Sequence, residues 1–210
     1  PPPPAHGTPK ENAAWWKGLT DAQRADYMAL HPDSIGALDG LPAEVRDQAN
    51  RALLSEARGQ AELQYANWLK KHPEPQRYTD YIDPYTGIRV KGLSVESQEW
   101  KDWEKDRKDA YKNLNGIKAI EERFAQTGKN GLPEAYLLGF STEGDGRAII
   151  ANGNPDTADH QAVYVPGTTS DLGNIGGNID RMVKLWRAAS SESDGQTVST
   201  ITWLGYDAPD

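Results

Sequence analysis

At 210 residues the chain has room for one large domain or a domain with a sizeable appendage, and its 37% hydrophobic and 26% charged content is ordinary for a globular protein. A net charge of -8 argues against a general binder of phosphate backbones, which needs clustered Lys and Arg, so no nucleic acid is expected as a partner. No stretch of ~18 apolar residues is present to span a membrane, and the absence of cysteine removes disulfides and thiolate metal sites while leaving the redox compartment open.

The chain opens on Pro1-Pro2-Pro3-Pro4, and residues 1–14 read as an exposed Pro-rich linker cut from something longer. Residues 15–132 read as a helical extension. Thr20 and Gln23 fit a capping box, and the helix they start should end before Pro32. Asp33-Ser34-Ile35-Gly36 and Asp39-Gly40 have turn chemistry. A long helix is predicted from Pro42 to about Lys71, with Val45, Ala49, Ala52, Leu53, Leu63, Ala66 and Leu69 as an apolar stripe that needs a partner.

Residues 74–93, with Tyr78, Tyr81, Tyr85 and Gly87, read as an aromatic loop or hairpin inserted in this extension. A third helix capped at Ser94 or Ser97 follows. It carries Trp100, Trp103, Ala110, Tyr111, Leu114, Ile117, Ile120 and Phe124 at three- and four-residue steps, and it ends at Gly128 to Pro133. The two long helices are expected to form an antiparallel hairpin beside a sheet. Trp16-Lys17-Gly18 spells a Trp-x-Gly turn, but packing of Trp15 and Trp16 on a neighbouring helix is the simpler use of those rings.

From residue 133 to 210 the composition shifts to Gly, Thr, Val and Ile. Ala135 to Phe140, Gly146 to Asn152, Ala162 to Val165 and Val198 to Leu204 are four short β-rich runs bounded by Gly, Pro, Asn or Asp. Glu143-Gly144-Asp145-Gly146 should join the first two as an antiparallel hairpin. One amphipathic helix, with Asn178 as a possible cap and Ile179, Met182, Val183 and Trp186 on one face, separates the last two. Strand, strand, strand, helix, strand is how an α/β-hydrolase begins. The fold class predicted is therefore α/β: the front half of such a sheet, about four strands and one crossover helix, behind a helical extension.

The loop Pro166-Gly167-Thr168-Thr169 follows the third strand. Acyl-transfer hydrolases draw one of two oxyanion N–H donors from that loop. Gly167 lets the backbone turn with no side chain in the way, which makes Gly167 and Thr168 the oxyanion-loop candidates; an ordinary strand-end turn uses the same residues equally well. Tyr206 and Asp207 lie just past the fourth strand, on the edge where open α/β sheets bind ligands. They are candidates to line the substrate pocket or to hydrogen-bond the oxyanion loop, or else they form a turn ahead of Pro209.

No triad is legible. Pro32-Asp33-Ser34-Ile35-Gly36 lacks the first glycine of a nucleophile turn and follows a helix, so it reads as a turn. Asp156, Asp159 and His160 can be drawn as a base with its acid or as a metal site, but solvated turn residues explain them better. No metal and no cofactor is called for.

Trp15 to Thr20, His31 to Pro42, Tyr136 to Phe140, Gly144 to Ala148, Gly153 to Asp159, Val163 to Thr168 and Trp203 to Pro209 resemble, in order, blocks of an actinobacterial α/β-hydrolase family. The resemblance is weakest from residue 74 to about 130. It implies a serine hydrolase acting on an ester or similar small acyl substrate, with nucleophile, acid and histidine downstream of the last block. The partner it implies is the remaining C-terminal part of the hydrolase, continuous or nicked. The 210 residues by themselves are then expected to be inactive and poorly folded, and a secreted or cell-envelope setting is expected ahead of a cytoplasmic one. The alternative from the helices alone is a non-catalytic binding or assembly module that docks through its helical arm.

Overall fold

The computed structural model describes residues 2–208; Pro1, Pro209 and Asp210 lie outside the described residues. Helix α1 (Pro9–Gly18) starts where a linker was expected, because Thr8 and Glu11 close a reciprocal capping box and Pro9 supplies a favoured first-turn φ. Helix α2 (Asp21–Leu30) begins on the Thr20–Gln23 box and stops before Pro32, as its sequence requires. The expected turn at Asp33 to Gly36 is instead a short helix, α3 (Pro32–Ala37), that drives Ile35 completely into the core. Trp16, Leu19, Ile35, Leu41 and Ala49 pack as one cluster, with Trp15 and Tyr27 against it.

Helix α4 (Ala43–Lys71) runs out from the body, and α5 (Gln98–Ala125), capped by the Ser97 hydroxyl, returns beside it. The two are antiparallel: Trp68 meets Trp103, Tyr65 meets Tyr111 and Arg107, and Arg58 pairs with Glu121. At their far end β1 (Tyr78–Ile82) and β2 (Arg89–Glu96) form the antiparallel hairpin of the aromatic segment. Both strands are largely solvent-exposed.

The main sheet contains β3 (Ala135–Ser141), β4 (Arg147–Asn152), β5 (His160–Tyr164) and β6 (Val198–Leu204) in the order β3-β4-β6-β5. The first three neighbours are antiparallel, and β5 runs parallel to β6. Between β5 and β6 the chain crosses over through α6 (Ile175–Glu192), which starts at Asn174 and not near Asn178. An Asp171–Asn174 capping box and a short 3-10 turn set that earlier start.

One face of the sheet is thoroughly covered. Leu137, Ala148, Ile150 and Leu204 pack with Leu54 and Ala61 of α4, Leu114, Ile117 and Ile120 of α5, and Ile175 and Ile179 of α6. The opposite face carries the row Tyr136, Ala151, Ile201 and Val163 across all four strands. Among the described residues only Ala43, at the start of α4, joins its buried cluster from a helix, and Val163, on the outermost strand, is 58% exposed.

The other outer strand, β3, is sealed by side chains. The Asp47 carboxylate accepts the Leu137 N–H at 2.7 Å. Asn50 donates to the Leu137 carbonyl at 2.9 Å, and Arg51 and Arg46 donate to those of Ala135 and Leu138. Burial raises the Asp47 carboxyl above its ordinary value, against the Leu137 N–H and the Arg51 guanidinium, which both lower it. The folded protein therefore holds that proton more tightly than the unfolded chain does. The resulting contribution to stability is fully present below the ordinary carboxylate range and is lost as pH rises through the raised value.

Two Asp47 variants test this seal. Asp47→Ala strands the buried Leu137 N–H and should lower stability by about 1–3 kcal/mol. Asp47→Asn keeps an acceptor without a buried charge, and it should cost less and abolish this pH dependence. Thermal denaturation across mildly acidic pH, in the polypeptide that carries this segment, separates the two.

Candidate functional site

Strands β3, β5 and β6 point the same way, so their carboxyl ends emerge on one edge together with the start of β4. Three connections meet there: the turn 142–146, the loop 165–171 and the segment 205–208. The edge is where ligands bind in open α/β sheets, and all four sequence-derived site residues lie on it.

Gly167 and Thr168 are exposed, and among the described residues neither amide engages a protein acceptor. Their loop is held at its start. Pro166 is buried, and the Tyr206 hydroxyl donates to its carbonyl at 2.7 Å, while the Tyr206 ring stacks on Trp203. Asp207 diverges from Tyr206. It is exposed and accepts from Arg147 at 3.3 Å, across the turn that joins β3 to β4. The structure thus brings Tyr206 to the candidate oxyanion loop and ties Asp207 to the neighbouring strand.

The far end of the loop holds what the sequence did not reveal. Thr169 has φ 62°, a left-handed conformation that a β-branched residue adopts at a cost on the order of 1–3 kcal/mol. The Asn174 amide donates to the Thr169 carbonyl at 2.7 Å, and Asn174 also exchanges hydrogen bonds with Asp171. Leu172, between them, is fully buried, and its N–H reaches the Asp145 carbonyl at 2.9 Å. Gly116 of α5 makes that approach feasible, since a Cβ there would sit 2.0 Å from the Leu172 carbonyl oxygen. The spacing Asp171-x-x-Asn174 ahead of Ile175 was the available signal, obscured by Asn178 as a competing cap.

Other candidates have structural tasks. The Asp156 carboxylate accepts the Ala43 N–H at 2.7 Å and so caps α4, whose own N-cap, Pro42, has no side-chain acceptor. Asp159 accepts from the backbone and hydroxyl of Thr197, and these bonds hold its carboxyl below the usual value. His160 pairs with Gln196 at 2.7 Å. No group of three or more His, Cys, Asp or Glu suited to a metal ion occurs among the described residues, and no helix among them is long and apolar enough to cross a membrane.

A four-stranded mixed sheet with one crossover helix, loops gathered at the carboxyl edge and helices ahead of it has the architecture of an α/β-hydrolase. Residues 142–210 match the family model described as alpha/beta hydrolase. Uncharacterized protein MT2140 of Mycobacterium tuberculosis (strain CDC 1551 / Oshkosh) and Uncharacterized protein Rv2079 of the same species (strain ATCC 25618 / H37Rv) are each 32% identical to the chain over 214 residues. The alignments take in 99% of this chain and 29% of each relative, so the chain spans less than a third of the length of these actinobacterial proteins. No solved structure matches.

The tasks assigned to Asp156 and Asp159 are open to test. Asp156→Ala should lower stability by about 0.5–2 kcal/mol through loss of the α4 cap, and chelators or added Zn²⁺ should leave the melting temperature of the unaltered protein unchanged. A metal-dependent shift abolished by Asp156→Ala would contradict this.

Proposed function

We propose that this chain supplies the front of a serine hydrolase that cleaves an ester or similar acyl bond. Its sheet positions the oxyanion loop, and the nucleophile, acid and histidine come from the remaining C-terminal part of the longer polypeptide. One observation carries the reading: a family-matched segment in which the loop after a parallel strand presents the unengaged Gly167 and Thr168 amides at the carboxyl edge. The amides would receive the oxygen that becomes negative as a serine adds to the substrate carbonyl. Tyr206 would line the floor beside them, with Asp207 and Arg147 toward the rim. No cofactor enters this chemistry.

The test uses the full-length protein. A fluorophosphonate should label one serine beyond residue 210, and its replacement by Ala should abolish turnover. Thr168→Pro, which deletes one N–H, should lower kcat roughly 10²–10³-fold. A full-length protein inert toward a broad panel of esters and amides overturns the reading.

A second reading, assembly through the helical arm, is favoured by the exposed hairpin at its tip. Tyr85 is 96% exposed, and Ile82, Ile88, Leu93 and Val95 are open beside it; clustered exposed apolar side chains mark interaction surfaces. Under this reading Tyr85→Ser with Ile88→Ser shifts the full-length protein to a smaller sedimenting species and leaves turnover intact. An unchanged sedimentation profile removes it.

A further inference from the structure

We infer that Asn174 is a positioning residue for acyl transfer, which holds Thr169 in its left-handed conformation and, with Tyr206, clamps the oxyanion loop at both ends. The inference rests on the hydrolase reading and adds to it the device that keeps the Gly167 and Thr168 amides in place.

Two exposed residues whose amides engage no acceptor among the described residues have no reason of their own to hold one geometry, and an oxyanion site works only if its donors are fixed before charge develops. Here both flanks of Gly167-Thr168 are tied by side chains from different elements. Upstream, the Tyr206 hydroxyl reaches the Pro166 carbonyl at 2.7 Å from the end of β6. Downstream, the Asn174 amide reaches the Thr169 carbonyl at 2.7 Å from the start of α6. Thr169 itself, at φ 62°, turns the chain where a glycine would be expected. A β-branched residue keeps that conformation only when its surroundings over-determine it, and Asn174 is the group that bonds its carbonyl.

Asn174 is in turn immobilised. Its carboxamide oxygen accepts the Asp171 N–H at 3.1 Å and its own N–H reaches the Asp171 carboxylate at 2.9 Å. Leu172, buried between them, is bonded to Asp145 in the turn after β3. The clamp thus joins all three connections at the carboxyl edge. Asn174 touches no reacting atom in this scheme; it acts through the loop.

Asn174→Asp separates this role from plain helix capping. The carboxylate still accepts from Asp171 N–H, so capping alone predicts unchanged kinetics, whatever the new charge beside the Asp171 carboxylate and at the start of α6 does to the melting temperature. The clamp predicts loss of the donor to Thr169 and repulsion from its carbonyl. In the full-length enzyme kcat should fall 10- to 100-fold with KM within twofold, affinity for an alkyl boronic acid should fall in parallel, and deuterium exchange over residues 166–174 should quicken. Tyr206→Phe should do the same from the other end, and the double variant should lose little more than either alone. An active wild type whose kcat is unmoved by Asn174→Asp overturns the clamp and leaves the hydrolase reading standing. A wild type that takes no fluorophosphonate and turns over no substrate overturns both.

Discussion

A sheet edge is a row of backbone donors and acceptors that must be satisfied by something. In this chain β3 solves the problem with a helix. Asp47, Asn50, Arg46 and Arg51 lie at the start of α4, and their polar tips take up one N–H and three carbonyls of β3 in place of a neighbouring strand. Asn50 is buried to 1% exposure and also bonds the Gly36 carbonyl. The same few side chains therefore fix α3, α4 and β3 relative to one another. Once α4 is tied down, the depth of the core beneath the sheet follows, because α5 packs along α4 and α6 packs along α5.

A second buried polar chain performs the matching task on the covered face. Arg123 of α5 is almost wholly buried and donates to Asn152 of β4 and to the Pro133 carbonyl at 2.6 Å each. Asn152 passes the chain to Thr200 of β6, and Thr200 reaches the Met182 carbonyl of α6. Burial, with Arg187 and Arg51 adding like charge, pushes the Arg123 guanidinium down to about 10. A guanidinium held by neutral acceptors is a costly element in a core, and polar groups of this kind specify one arrangement of helices over others only when every member is satisfied. Here the described bonds reach every arm of the guanidinium, with Thr127 taking the third.

These two networks leave the carboxyl edge free for loops. The turn after β3, the loop after β5 and the segment after β6 are anchored to one another by the bonds of Asp145, Tyr206 and Arg147, yet among the described residues the amides of Gly167 and Thr168 engage no acceptor. Among the described residues β5 is the other outer strand of the sheet, where Val163 is 58% exposed, on the side away from β3 and the helix that seals it.

Much of this was legible in the residues themselves. The four strands, the turn at Glu143 to Gly146, the Thr20 box and the α4–α5 hairpin follow from local rules: alternation, turn propensity, capping and three-to-four spacing act over a few residues and need no distant partner. Those rules also misplaced three features: Pro9 and Pro32 each start a helix in segments whose composition reads as linker or turn, and α6 starts at Asn174 and not near Asn178. What the sequence could not determine is everything that joins residues far apart. Asp156 reads as a solvated turn residue until the fold brings it 113 positions back to cap α4. Tyr206 and Asp207 are adjacent in sequence but face different neighbours, Pro166 at 40 positions' remove and Arg147 at 60. Local preference chose the elements; the pairing of buried polar groups across the chain decided their arrangement, because an unpaired one costs more than any propensity supplies.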